Sequence, residues 1–213
     1  MFGYTFVQKS GEIARQNLVG TIWGSISVSG LNWVMDAGTR EYFIDSKVVT
    51  GSGTFSPGVS MDGTYASGGG SSSAWGPLTF SSANRLAVTS QSVVGKWSSV
   101  KKDDVGMTVD IDTAGNFKGK TSGATSGVCA LTGDIHLTQP TTSKNLYTIR
   151  FGAVNAATGD EVACKLSIKN YEGPAAIVQS AAGDFVSNGY FRALTMVTRT
   201  DTAATLSVTL RKQ

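Results

Sequence analysis

The chain has 213 residues, 26 of them glycine, and a net charge of +3. This length accommodates one large β domain or two small ones, and a chain rich in glycine, serine and threonine disfavours helices. The basic residues are scattered along the sequence, so no basic stripe for nucleic acid is read, and no apolar run reaches the length of a membrane-spanning helix.

Taken in order, the chain opens with an N-terminal segment, residues 1–17. An apolar piece, Tyr4 to Val7, is followed by residues 10–17, the one stretch with helical character. Ser10 there serves as an N-cap and Asn17 as a stop. No charged region followed by an apolar one appears, so no signal peptide is read in the chain as given.

Residues 18–92 read as an N-terminal β region. Ile22, Gly24, Ile26 and Val28 alternate with Trp23, Ser25 and Ser27, a period of two that places each set on one sheet face. Trp33–Val34–Met35 and Tyr42–Phe43–Ile44 flank the turn Asp36–Ala37–Gly38, as in a hairpin. The next strand, residues 47–55, carries Gly51 and Gly53, and strand glycines mark bulges or close approach of another chain. Residues 67–74, SGGGSSSA, form a low-complexity loop. Gly68, Gly69, Gly70 and Trp75 make it the candidate binding loop, the glycines supplying mobility and the tryptophan one large contact. Packing of Trp75 in a core is the competing reading.

Residues 93–213 are more regular. Val105, Met107, Val109 and Ile111 alternate with polar residues, and residues 113–116 form a hairpin tip. Cys129, Leu131, Gly133, Ile135 and Leu137 make the next row. Strands are read over 146–151, 161–168, 175–178 and 190–197, with a turn at Ser187–Asn188–Gly189. The last strand alternates Leu206, Val208 and Leu210 with Ser207, Thr209 and Arg211. Short turn-rich gaps predict an all-β antiparallel meander. So many strands bury their edges best by closing into a barrel or curling strongly. Trp23 and Trp97, which open the two halves, are read as core plugs at a barrel end. Cys129 and Cys164 lie in strand-like segments, and they form either a disulfide or two buried thiols.

The order Gly95–Lys96–Trp97, the hairpin 112–119, Gly127–Val128–Cys129 to Gly133, Phe151, Cys164 and Tyr171–Glu172–Gly173–Pro174–Ala175 resembles that of surface or outer-membrane lipoproteins of proteobacteria. Gly20–Thr21–Ile22–Trp23 fits less specifically. The resemblance implies a calycin-like, lipocalin- or avidin-like, barrel or half-barrel after a smaller β region. With the even cysteine count it favours a Cys129–Cys164 disulfide, hence an oxidising compartment at the cell envelope or outside the cell. It implies no active site, and the chain shows no lipid-attachment cysteine near its start.

Chemistry is sparse. Asp110, Asp112 and Asn116 look like the start of a calcium loop, but the distal glutamate is missing. The single histidine, His136, shares a strand face with Asp134, yet no nucleophile motif accompanies it. One histidine and two distant cysteines do not make a zinc site, and no phosphate-binding loop occurs. Asp103–Asp104 and Asp160–Glu161 sit in turn contexts. The expectation is therefore a non-enzymatic protein without cofactor or metal, acting by binding or surface presentation toward a protein or glycan. A self-assembling structural subunit of a phage particle or filament is the second reading, and a carrier of small apolar ligands the third.

Overall fold

The computed structural model describes residues 5–7, 12–16, 21–42, 45–99, 105–166, 170–181, 190–202 and 204–213. The readings at Ser10, Asn17, Gly20, Phe43–Ile44, Asp103–Asp104 and Ser187–Gly189 lie outside them. The chain forms two compact units, Met1–Ser82 and Ala83–Gln213.

The first unit is an antiparallel sheet of nine strands: β1 (Thr5–Val7), β2 (Glu12–Gln16), β3 (Thr21–Ser29), β4 (Asn32–Met35), β5 (Arg40–Tyr42), β6 (Ser46–Ser56), β7 (Ser60–Ser67), β8 (Ser73–Ala74) and β9 (Leu78–Thr79). The helix expected over 10–17 is corrected: Glu12–Gln16 is a strand, paired with β1 and β3. Two turns of isolated helix are marginal, and a place in the sheet satisfies the same backbone groups.

β4 and β5 both lie between β3 and β6, so together they act as one interrupted strand. At the interruption the buried Thr39 hydroxyl donates to the Ser25 carbonyl at 3.1 Å. A Cβ at Gly24 would stand 2.3 Å from that hydroxyl, so only glycine fits. The core is Ile13, Ile22, Ile26, Trp33, Met35, Val49 and Trp75. Trp33 lies over the paired Gly53 and Gly63, and a Cβ at Gly63 would come within 2.6 Å of its ring. The Trp33 indole donates to the carbonyls of Asp62 at 3.0 Å and Thr54 at 3.3 Å. The glycines of β6 and β7 thus admit a large aromatic at close range.

The second unit is a closed antiparallel barrel of β10 (Gly95–Ser99), β11 (Thr108–Ile111), β12 (Asn116–Thr121), β13 (Cys129–Leu137), β14 (Tyr147–Asn155), β15 (Asn170–Ala181), β16 (Tyr190–Arg199) and β17 (Thr205–Lys212). Each strand pairs with the next, and β17 returns to β10. Closure removes both sheet edges.

The inward residues form one contiguous cluster running from Trp97 through Phe117, Phe151 and Tyr171 to Leu210. Phe117, Gly133, Phe151 and Tyr171 stand opposite one another across four strands. Phe151 and Tyr171 stack at 5.0 Å, and Phe117 tilts against Phe151 at 6.2 Å. Gly133 leaves the room: a Cβ there would lie 2.8 Å from the Phe117 ring and 2.1 Å from the Arg150 carbonyl.

Residues 83–93 belong to this unit. Val88 and Val93 are buried in its core. Asn145 donates to the Ala83 carbonyl at 2.9 Å and accepts from the Ile177 amide at 2.9 Å. The Tyr147 hydroxyl donates to the Thr89 carbonyl at 2.9 Å, and the Trp97 indole to the Val93 carbonyl at 2.7 Å. β15 and β16 depart from alternation, since residues 173–178 and 193–198 are buried on both faces. Their outward side chains, among them Ala176, Val178, Ala193, Thr195 and Val197, are small and mostly apolar, as doubly buried strands require.

Candidate binding surfaces

Gly68, Gly69 and Gly70 are exposed at the β7–β8 turn, where Gly68 and Gly69 have φ of 61° and 74°. Positive φ is the physical reason for glycine there. Trp75, expected to give this loop its contact, is 0% exposed. It packs 5.6 Å from Trp33 and 5.9 Å from Tyr65, and its amide donates to the Gly63 carbonyl at 2.9 Å. This corrects the reading of Trp75 as the loop's contact and agrees with the competing reading of core packing: the ring gains more by joining a core of few large residues than by standing in water. The loop keeps only small polar side chains. Trp97 is buried inside the barrel as expected, with the Lys212 ammonium 5.4 Å from its ring. Trp23 is only half-buried, and Trp33 is the core tryptophan of the first unit.

Asp112 locks its own hairpin. Its carboxylate accepts from the Ala114 and Asn116 amides, both at 2.9 Å, and from the Asn116 side chain at 3.3 Å. Burial pushes this carboxyl up, but the bonds from Asn116, Ala114 and Gly115 outweigh it and hold it below the ordinary carboxylate range. The acid is thereby committed to the turn instead of a cation. Among the described residues, no group of three or more His, Cys, Asp or Glu side chains gathers as a metal site.

His136 pairs with Asp134 at 3.1 Å on the barrel exterior, and both side chains are open to solvent. Asp134, Arg150, Glu172 and Arg199 follow one another across β13 to β16, and Arg150 bonds Glu172 at 2.9 Å. Alternating charges in register are an ordinary means of holding a sheet exterior.

Cys129 and Cys164 form a disulfide. It fastens the β14–β15 connection, residues 156–166, against the chain before β13. Val128 and Ala163 form a parallel bridge, the Val128 amide donates to the Val162 carbonyl at 2.9 Å, and the Lys165 amide donates to the Ser126 carbonyl at 2.7 Å. The Cys164 amide donates to the Asn155 side chain at 2.8 Å. Gly127 is obligatory: its φ is 66°, and a Cβ would meet the Ala163 carbonyl at 2.0 Å. Within the loop, the Thr158 amide and hydroxyl donate to Glu161 at 2.8 and 3.0 Å. Those bonds hold the Glu161 carboxyl below its usual range. Residues 158–163 remain exposed, including Val162. The result is an exposed loop whose conformation is set in advance. Of its anchors, the sequence singled out the cysteines, Gly127 and Val128 in the motif order and Glu161 in a turn; Ser126, Asn155 and Thr158 were not singled out, since backbone bonds leave no composition signal.

The architecture is that of the closed up-and-down β-barrels. Comparison with protein families, curated proteins and solved structures finds no match to this chain.

Proposed function

We propose that this protein is a non-enzymatic recognition scaffold of the cell envelope or extracellular space, presenting preset loops to a protein or glycan partner. The observation that carries this reading is the disulfide-fastened loop 156–166, exposed yet held by backbone bonds on both sides. Ordering a loop before binding removes an entropic cost of association. A disulfide persists in oxidising compartments, and the motif order similar to that of proteobacterial surface lipoproteins supports the same location. The filled barrel interior weighs against a carrier of small apolar ligands.

The test replaces Asp160, Glu161 and Val162 with Gly-Ser-Gly and measures binding to immobilised glycans and isolated bacterial envelopes. Lost binding with an unchanged barrel spectrum supports the proposal. Undiminished binding removes the loop from it.

A further inference from the structure

We infer that the outer face of β10, β11 and β12 binds an acidic polysaccharide. Register places Lys96, Asp110 and Lys118 in one row across the three strands. The next row is Arg211, Ser98, Thr108 and Lys120. Alternation directs both rows outward, because Trp97, Val109 and Ile111 between them are buried inside the barrel. The rows border an open groove, and Gln213 flanks it with its side chain hydrogen-bonded to Ser98. Lys96, Lys118 and Lys120 so converge on the groove from distant parts of the chain, with Arg211 in the row beside it.

Among the described residues, Lys96, Lys118 and Lys120 belong to no close ion pair. Asp110 stands between Lys96 and Lys118 and offsets part of their charge without closing on either. Glu161, whose carboxylate accepts from Thr158, also offsets a minor part of the Lys120 charge. The lysines are therefore open to an anionic ligand, and Asp110, Ser98 and Thr108 offer hydrogen bonds to hydroxyl groups.

The chemistry of the face selects among polyanions. None of the exposed large apolar residues of the described chain, such as Leu31, Val59, Phe80 or Val162, belongs to the groove, and the Trp97 and Val109 that line its floor are buried. Protein interfaces centre on apolar or aromatic anchors, and single-stranded nucleic acids stack on exposed aromatics. Charge, hydroxyl donors and a shallow open groove without such anchors suit a saccharide chain bearing carboxylate, phosphate or sulfate. This inference goes beyond the loop reading and concerns different residues.

The experiment titrates the full chain with polygalacturonate, dextran sulfate, neutral dextran and duplex DNA at low salt. Lys118→Gln/Lys120→Gln is compared with Lys47→Gln/Lys144→Gln, which removes the same charge elsewhere. The groove variant is expected to bind the acidic polysaccharides about ten-fold more weakly with a flatter salt dependence. The control pair and the Lys118→Arg/Lys120→Arg variant are expected to stay near the parent affinity. Equal losses in the groove and control pairs would mean that net charge alone acts, and would overturn the site. No binding of either acidic polysaccharide by the parent chain, or tighter binding of duplex DNA, would overturn it as well.

Discussion

Gly133 and Gly152 are both strand glycines, on β13 and β14, and the structure gives them opposite roles. At Gly133 a Cβ would collide with the Arg150 carbonyl and the Phe117 and Phe151 side chains; at Gly152 it would meet only the Asn170 side chain at 3.4 Å. Gly133→Val is therefore expected to destabilise the barrel by about 2–3 kcal/mol through overpacking. Gly152→Ala is expected to change stability by less than about 1 kcal/mol. Urea unfolding of the two variants checks the contrast. Trp75 belongs to the same scale. Trp75→Ala removes a fully buried ring and should cost about 3–5 kcal/mol. A variant as stable as the parent would show that the ring is not core.

At the scale of elements, the 156–166 loop depends on one covalent and one ionisable group. Cys129 and Cys164 are 35 residues apart. In the chain-entropy account, replacing both with alanine is expected to cost about 3–4 kcal/mol, and thiol titration of the native parent should find no reactive group. Glu161 has a folded pKa below its ordinary value, chiefly through bonds from the Thr158 amide and hydroxyl. Its contribution is therefore present above the unfolded glutamate range and is lost as pH falls through the lowered folded value. Protection of the Thr158 amide, taken relative to its intrinsic exchange rate, should fall across that acidic window, and Glu161→Gln should abolish the step. Protection that does not change with pH would contradict the bonding described.

For the whole molecule, the division at Ser82 and Ala83 has a measurable consequence. Residues 83–93 supply Val88, Val93 and the carbonyl partners of Tyr147, Trp97 and Asn145. A fragment spanning 83–213 is expected to unfold cooperatively as a β protein. A fragment beginning at 94 should lose about 3 kcal/mol or more, the burial worth of two valines, along with three hydrogen-bond partners. Equal stability of the two fragments would place the segment outside the barrel's folding unit.

Period-two alternation in residues 105–111, 129–137 and 206–210 specified inward faces, and strands at all of these but 105–107, because a strand shows its two faces through local chemistry alone. Turn residues and short gaps specified an antiparallel order, and the two cysteines were open to pairing. Alternation said nothing reliable where both faces are buried, as in β15 and β16, or where a short segment such as Glu12–Gln16 takes its state from its neighbours. Long-range register decided the rest. Register across β12, β13 and β14 sets Gly133 between rings, and the packing of the first unit's sheet takes Trp75 into its core beside a glycine-serine loop. Only pairing across four strands gathers Lys96, Lys118, Lys120 and Arg211, which look scattered along the chain because their proximity is a property of the sheet.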